Sequence, residues 1–354
     1  ATNTALGFVS GGANIWNQNP LDVLDNPAKL GYFEGISLGY SHDDWYGIYF
    51  DGVDFDSAYL TLGWNGIGIM LPMLNSQLKF GTSITSDQDL YDGDGQIIDT
   101  FKTREIASAF AFGLNVLEAL KSFHNDSISR IQDYSDLSIG YNYNLVESKI
   151  SPDGPGFIGP GSSYTDGLGM ILRISPFNDS NYLGYHFIKA DIVSSLYLRN
   201  ISRTEISYTN DDQSDYLPYG TDTAISMRLR IGIEMIEEII SSDTYKLLSG
   251  FSHDIVSVHG CYGNSYLMNT DSNWGRGIEL TLMELISFRW GHYRQIDSNV
   301  GEDIFGLGLN YNYKSLVYLQ INASLIPETD YRDHNFKTDF MLNVNLLTLL
   351  GIEQ

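Results

Sequence analysis

The chain has 354 residues with a formal net charge of -24, a balance that excludes nucleic acid as a partner because no basic cluster could neutralise a phosphate backbone. Charged residues make up only 18% while 24 are tyrosine, an unusual mix for a soluble domain. A single cysteine, Cys261, excludes an intrachain disulfide, and without an apolar run of about 18 residues no transmembrane helix is available.

Residues 1–33 show no alternation of apolar and polar positions. The opening Ala-Thr-Asn-Thr has the look of a mature end left after signal removal. Gly11, Gly12 and Ala13 lead to Asn19-Pro20-Leu21 and then to Asn26-Pro27-Ala28-Lys29-Leu30. Each proline sits where a first helical turn tolerates it, with asparagine just ahead as cap. One or two short helices are expected here.

From residue 34 the period becomes two, and one side of each strand is apolar. Strands are expected over about 34–42, 45–53, 57–64 and 67–72, the last two joined by an Asn65-Gly66 hairpin turn. Others follow near 77–85 and 103–116, where Ile106, Phe110, Phe112 and Leu114 alternate with alanine and glycine, then a short helix within 116–131. The clearest case is Leu137 to Leu145, whose odd positions are apolar or aromatic and whose even ones are Ser, Gly or Asn; Phe305 to Tyr313 repeats it. Further strands are expected near 165–175, 184–199, 222–235, 244–258, 275–284, 286–295, 303–313, 315–325 and 337–347. Several of these candidates merge, and about 14 strands are expected, an even number suiting a closed single-chain barrel.

A soluble sandwich would turn its apolar face inward and show Lys, Glu and Thr to water, whereas the second face here is small and polar. That favours a transmembrane barrel with oily residues outward and a crowded or wet lumen. The fold class expected is therefore all-β, an antiparallel transmembrane barrel at 34–354 with a short helical plug at 1–33, and lipid as its immediate partner.

The motif Gly11-Gly12-Ala13, a short interval, Asn26-Pro27-Ala28 with Leu30, and an immediate strand at Gly35 to Tyr40 resembles the amino-terminal region of the PorV/PorQ family, a branch of the FadL-like outer-membrane barrels. The resemblance covers about residues 11–45. It implies a barrel plugged by its own amino-terminal segment in the outer membrane of a diderm bacterium. It also implies a non-enzymatic accessory role in type IX secretion, binding secreted or surface proteins through extracellular loops.

Within the strands, Arg173, Lys189, Asp191, Arg228, Arg230, Glu234, Glu279 and Arg289 share the phase of the small polar residues. A cation at mid-depth on the lipid side costs about 2–4 kcal/mol, which assigns this phase to the lumen. The two signs are mixed, so the charges are expected to pair and hold the plug, with a permeation lining as the alternative. A selective ion pore is not indicated.

Acidic residues gather at 43–44, 51–56, 87–99, 211–215 and 330–333 and are read as solvated loops. The sharper reading is a calcium site at Asp87, Asp89, Asp92 and Asp94. Its match to an EF-hand loop is partial, since the glycine position is taken by Ile97. The seven histidines have no metal-ligand spacing and are read as interfacial or loop residues; Ser41-His42-Asp43 cannot form a relay, because neighbours on a strand point to opposite faces. No catalytic motif is present. Two alternatives stand beside the secretion accessory. One is a FadL-like transporter of hydrophobic small molecules with a lateral opening at a kinked strand, Pro72 and Pro176 being the candidate kinks. The other is an assembly subunit with acidic loops.

Overall fold

The structure is a computed structural model that describes residues 14–16, 19–47, 50–74, 81–91, 94–121, 134–151, 158–182, 186–209, 214–233, 254–270, 272–296, 301–313, 316–326 and 335–345. Two 3-10 helices, Pro20–Leu24 and Pro27–Tyr32, precede β1 (Gly35–Gly47). Then come β2 (Phe50–Trp64), β3 (Ile67–Pro72), β4 (Gly81–Tyr91), β5 (Ile97–Asn115), the helix α1 (Val116–Lys121), β6 (Ser135–Lys149), β7 (Gly161–Tyr182) and β8 (His186–Arg199). The second half holds β9 (Glu205–Tyr208), β10 (Ser214–Tyr216), β11 (Tyr219–Ile233), β12 (Asp254–Met268), β13 (Asn273–Leu282), β14 (Ile286–Gln295), β15 (Gly301–Tyr313), β16 (Val317–Ile326) and β17 (Asn335–Val344).

All pairings are antiparallel, and β17 closes on β1 from Ile36↔Val344 to Asp43↔Lys337. β3 and β4 share one wall position between β2 and β5, and β9 with β10 form a small hairpin at the edge of β7, which leaves a closed barrel of 14 strands. Closure leaves no edge strand in the barrel wall.

Sidedness follows the period of two. Ile139, Phe305 and Leu307 are 42%, 49% and 47% exposed, whereas Ser138, Asn142 and Asn310 on the alternate phase are buried. Exposed apolar residues recur on strand after strand, among them Phe112, Leu168, Met227, Leu280 and Phe288. Such a continuous oily belt cannot face water and is the mark of a membrane-spanning barrel.

The barrel has two unlike ends. At one, tight turns such as Asn65-Gly66 and Met283 to Leu285 join the strands, and β1 starts and β17 finishes there. The chain also passes through α1 and from β11 to β12 at that end, while the other carries the connections from β6 to β7 and from β8 to β11, the latter with the β9–β10 hairpin. These are called the turn end and the loop end below.

Several expectations need correction. The acidic groups at 43–44 and 51–56 are not loops: they lie in β1 and β2, which pair without a break from Gly35↔Gly63 to Trp45↔Val53. Three candidate strands over 34–64 are therefore two long ones. Asp87, Asp89 and Asp99 likewise belong to the long β4–β5 hairpin. Of the strand expected at 244–258, residues 244–253 lie outside the described residues, and the rest belongs to β12, which extends past 258 through His259, Gly260 and Gly263 to Met268. Pro176 does not end a strand but sits inside β7, where the register to β8 shifts between Ile174 and Phe177. Pro72 does end β3.

Candidate functional site

The interior is built around the two 3-10 helices. Asn19 and Asn26 cap them, their side chains accepting hydrogen bonds from Leu21 N at 3.1 Å and Ala28 N at 3.0 Å. Both helices begin with the proline that the capping pattern calls for.

The second helix lies on a bed of glycine. Gly63↔Gly68, Gly68↔Gly113, Gly113↔Gly140 and Gly140↔Gly169 are register partners on successive strands, so five glycines form one row across the wall. The chain from Asn26 to Phe33 runs along that row. A Cβ on Gly169 would stand 2.0 Å from Asn26 Oδ1, on Gly140 2.4 Å from Ala28 N, on Gly68 2.2 Å from Leu30 O and on Gly63 2.1 Å from Phe33 O. Only glycine allows so close an approach of two backbones. Ser138 Oγ donates to Ala28 O, and Asn26 Nδ2 donates to Leu196 O at 3.2 Å.

Beside this bed is an apolar cluster, unusual in a polar lumen. Leu21, Val23, Leu30 and Phe33 of the plug pack with Tyr59, Met70, Ala109 and Ala111 of the wall. Burying the four plug side chains stabilises the seat by roughly 1.5–3 kcal/mol each.

The cluster backs an irregular seam. Between the third wall position and β5 the register passes from Met70↔Ala111 to Thr82↔Ala107, so three residues of β5 face eleven of the other strand. On the opposite side β2 continues without a gap, Tyr59 opposite Pro72 and Ala58 opposite Gly81. Met73 N donates to Ala58 O and Gly81 N to Met73 O, which pins the base of the excursion. Gly81 holds φ +84. Tyr59, fully buried, closes the seam from within by donating its hydroxyl to Ala107 O at 3.0 Å.

On the far side of the plug, at the turn end of β11 to β17, lies a polar cavity of about 300 Å³. Asn14 and Trp16 form its plug wall, and Arg228, Arg230, His259, Glu279, Arg289 and Gln320 line it. Trp16 meets His259 edge-on at 4.6 Å and lies under the Arg228 guanidinium at 5.5 Å. Ionic contacts are dense: Arg289 with Glu279, Arg230 with Asp191 at 3.5 Å, Arg228 with Asp254 at 3.9 Å, and Arg173 with Asp136 at 3.5 Å. Carboxamides extend the network, with Arg289 donating to Asn322, Asn322 to Asp339, and Gln320 to Asn310.

Within the plug, Lys29 and Asp22 are both buried and 3.6 Å apart. Burial drives the Asp22 carboxyl above its usual range, against the pull of Lys29. Burial likewise pushes the Asp25 carboxyl up to about 6.

Of the residues singled out in the sequence, Asn26, Pro27, Ala28 and Leu30 are buried in the plug seat, and Gly11, Gly12, Ala13, Glu234 and Asp92 lie outside the described residues. Asp191, Arg228, Arg230, Glu279 and Arg289 take part in the ionic contacts around the cavity, Arg173 pairs apart from them with Asp136, and Lys189 stands opposite Arg230 across β8 and β11. Asp87, Asp89, Asp94 and Asp99 form no group of three metal-ligating side chains, and neither do any other described residues.

One histidine differs from expectation. His259 is neither interfacial nor in a loop but buried in the lumen, its phase matching the small polar residues of β12. His42 pairs through Nδ1 with Asp56 at 3.0 Å, a carboxylate that also accepts from the Tyr40 hydroxyl. Sequence reasoning missed the glycine row and the seam, because neither exists until register aligns the strands.

No family model and no curated protein matches the chain. Among solved structures it is similar to the CymD monoaromatic hydrocarbon channel, at 10% identity and TM-score 0.46 over 97% of both chains. A FadL homologue of Pseudomonas aeruginosa gives 9% and 0.42 over 98% of both. The toluene transporter TbuX of Ralstonia pickettii gives 11% and 0.37 over 96% of this chain and 98% of that one. Values this low leave the functional reading to the geometry of the chain itself.

Proposed function

We propose that the chain is an outer-membrane channel of a diderm bacterium that passes small hydrophobic molecules between its lumen and the bilayer, without catalysis. The observation that carries this is the seam between the third wall strand and β5, set directly against the apolar cluster of Leu21, Val23, Leu30 and Phe33. A polar lumen repels an oily solute, and this cluster offers one a compatible surface where the wall ladder is irregular. The amino-terminal motif fits the same reading: Asn26, Pro27 and Ala28 are taken up in capping and seating the plug.

Uptake of radiolabelled toluene by cells carrying the protein tests the proposal. Joining Pro72 directly to Gly81 regularises the strand and is expected to abolish uptake while leaving a folded barrel on gels. Equal uptake by both proteins overturns the reading. The secretion accessory implied by the amino-terminal resemblance would instead co-purify with a secreted protein, and the Pro72–Gly81 join would not affect that association.

A further inference from the structure

Basic side chains are scarce in this chain, yet two arginines and a histidine gather on the outer, lipid-facing surface of β13 and β14. Register places Tyr262, Arg276, His292 and Asp303 side by side across β12 to β15. The row toward the loop end holds Asn264, Trp274 and Arg294, and the row toward the turn end holds Ile278, Trp290 and Phe305. Arg276 shares its phase with the exposed Ile278 and Leu280 and is itself exposed. This phase faces lipid.

Depth follows from strand length. β13 and β14 have 10 residues each, about what a tilted strand needs to cross the hydrocarbon. Arg276 and His292 stand three residues from the loop ends of these strands, and Arg294 one residue. They therefore sit where hydrocarbon gives way to headgroups, and the long arginine stems reach outward from there.

Aromatic rings frame the group as they do at membrane interfaces. Arg276 lies 5.9 Å over Trp290. Trp274 leans on His292 at 5.6 Å and stacks with Tyr262 at 6.3 Å. Asp303 accepts a hydrogen bond from His292 Nδ1 at 3.0 Å and is the one acid on this face of the row. The ring contacts hold Arg276 in place without neutralising it.

We propose that this face binds the phosphorylated headgroup of a lipid in the loop-side leaflet, with Arg276 and Arg294 reaching its phosphate oxygens and Trp274 and Trp290 flanking its acyl chains. The reasons are charge complementarity and position. A guanidinium matches phosphate geometry with paired donors, and the neighbours of this surface are lipids. The site rests on the membrane-spanning fold and is independent of the transport reading.

Purified protein in detergent micelles, titrated with a diphosphorylated glucosamine lipid and with its dephosphorylated form, provides the test, with bound lipid counted by native mass spectrometry. The wild type is expected to retain the phosphorylated form preferentially. A double variant, Arg276→Gln with Arg294→Gln, should lose that preference by roughly tenfold, as expected for two charge-assisted contacts. Lys149→Gln, at the far end of β6, removes a charge elsewhere and should leave retention unchanged. Equal retention by wild type and double variant, or full competition by inorganic phosphate alone, overturns the proposal. Should the double variant not fold, Arg276→Lys keeps the charge but loses the fork, and its unchanged retention overturns the proposal equally.

Discussion

Gly140 shows how one hydrogen atom can decide a tertiary arrangement. A Cβ there would meet backbone atoms of Pro27 and Ala28, which cannot swing aside as a flexible side chain would. Gly140→Val is expected to lift the plug from its bed at a cost of about 1–3 kcal/mol, read as faster proteolysis of the amino-terminal segment and a lower thermal midpoint. Gly260→Ala is the control, its Cβ meeting nothing nearer than Gly277 O at 4.0 Å. At Asp25 the expectation concerns pH. Burial raises this carboxyl from 3.8 to about 6, so the seated plug binds the proton more tightly than the unseated one. The contribution to seating is complete below pH 3.8 and is lost as pH rises through about 6. Protease protection of the plug should fall over that window in the wild type and fall less in Asp25→Asn.

Among the elements, the third wall position is the one whose irregularity has a readable cause. β2 supplies a continuous partner, so the excursion after Pro72 leaves the barrel closed on that side and strains only the seam with β5. Tyr59 then holds the seam from inside through its bond to Ala107 O. Tyr59→Phe removes that donor while keeping the ring, a change of about 1 kcal/mol. Faster toluene uptake from a barrel that still folds is the expected result, and unaltered uptake would show that Tyr59 does not restrain the seam. The plug helices are held differently, by caps, glycine contacts and apolar burial together, so loss of one cap should loosen the seat without releasing it.

For the whole molecule, the decisive property is which side of the sheet meets oil. Leu307→Arg places a cation on the lipid face at the middle of β15 and is expected to destabilise the barrel by about 2–4 kcal/mol, measured by reversible unfolding in lipid vesicles. The chain alone shows the barrel and its sidedness through the alternation in Leu137 to Leu145 and Phe305 to Tyr313, with Gly, Ser and Asn between, because side chains on a strand must point to opposite faces. It also marked the capped prolines of the plug, since caps are local. The ends of β1 and β2 escape it, because an aspartate in a strand that projects beyond the bilayer looks like one in a loop. That five separate glycines make one bed, that His259 meets Trp16, and that Arg276, His292 and Arg294 share a patch becomes visible once the barrel is closed. Those are matters of register, and register is set by closure of the whole sheet, a constraint that no stretch of sequence carries alone.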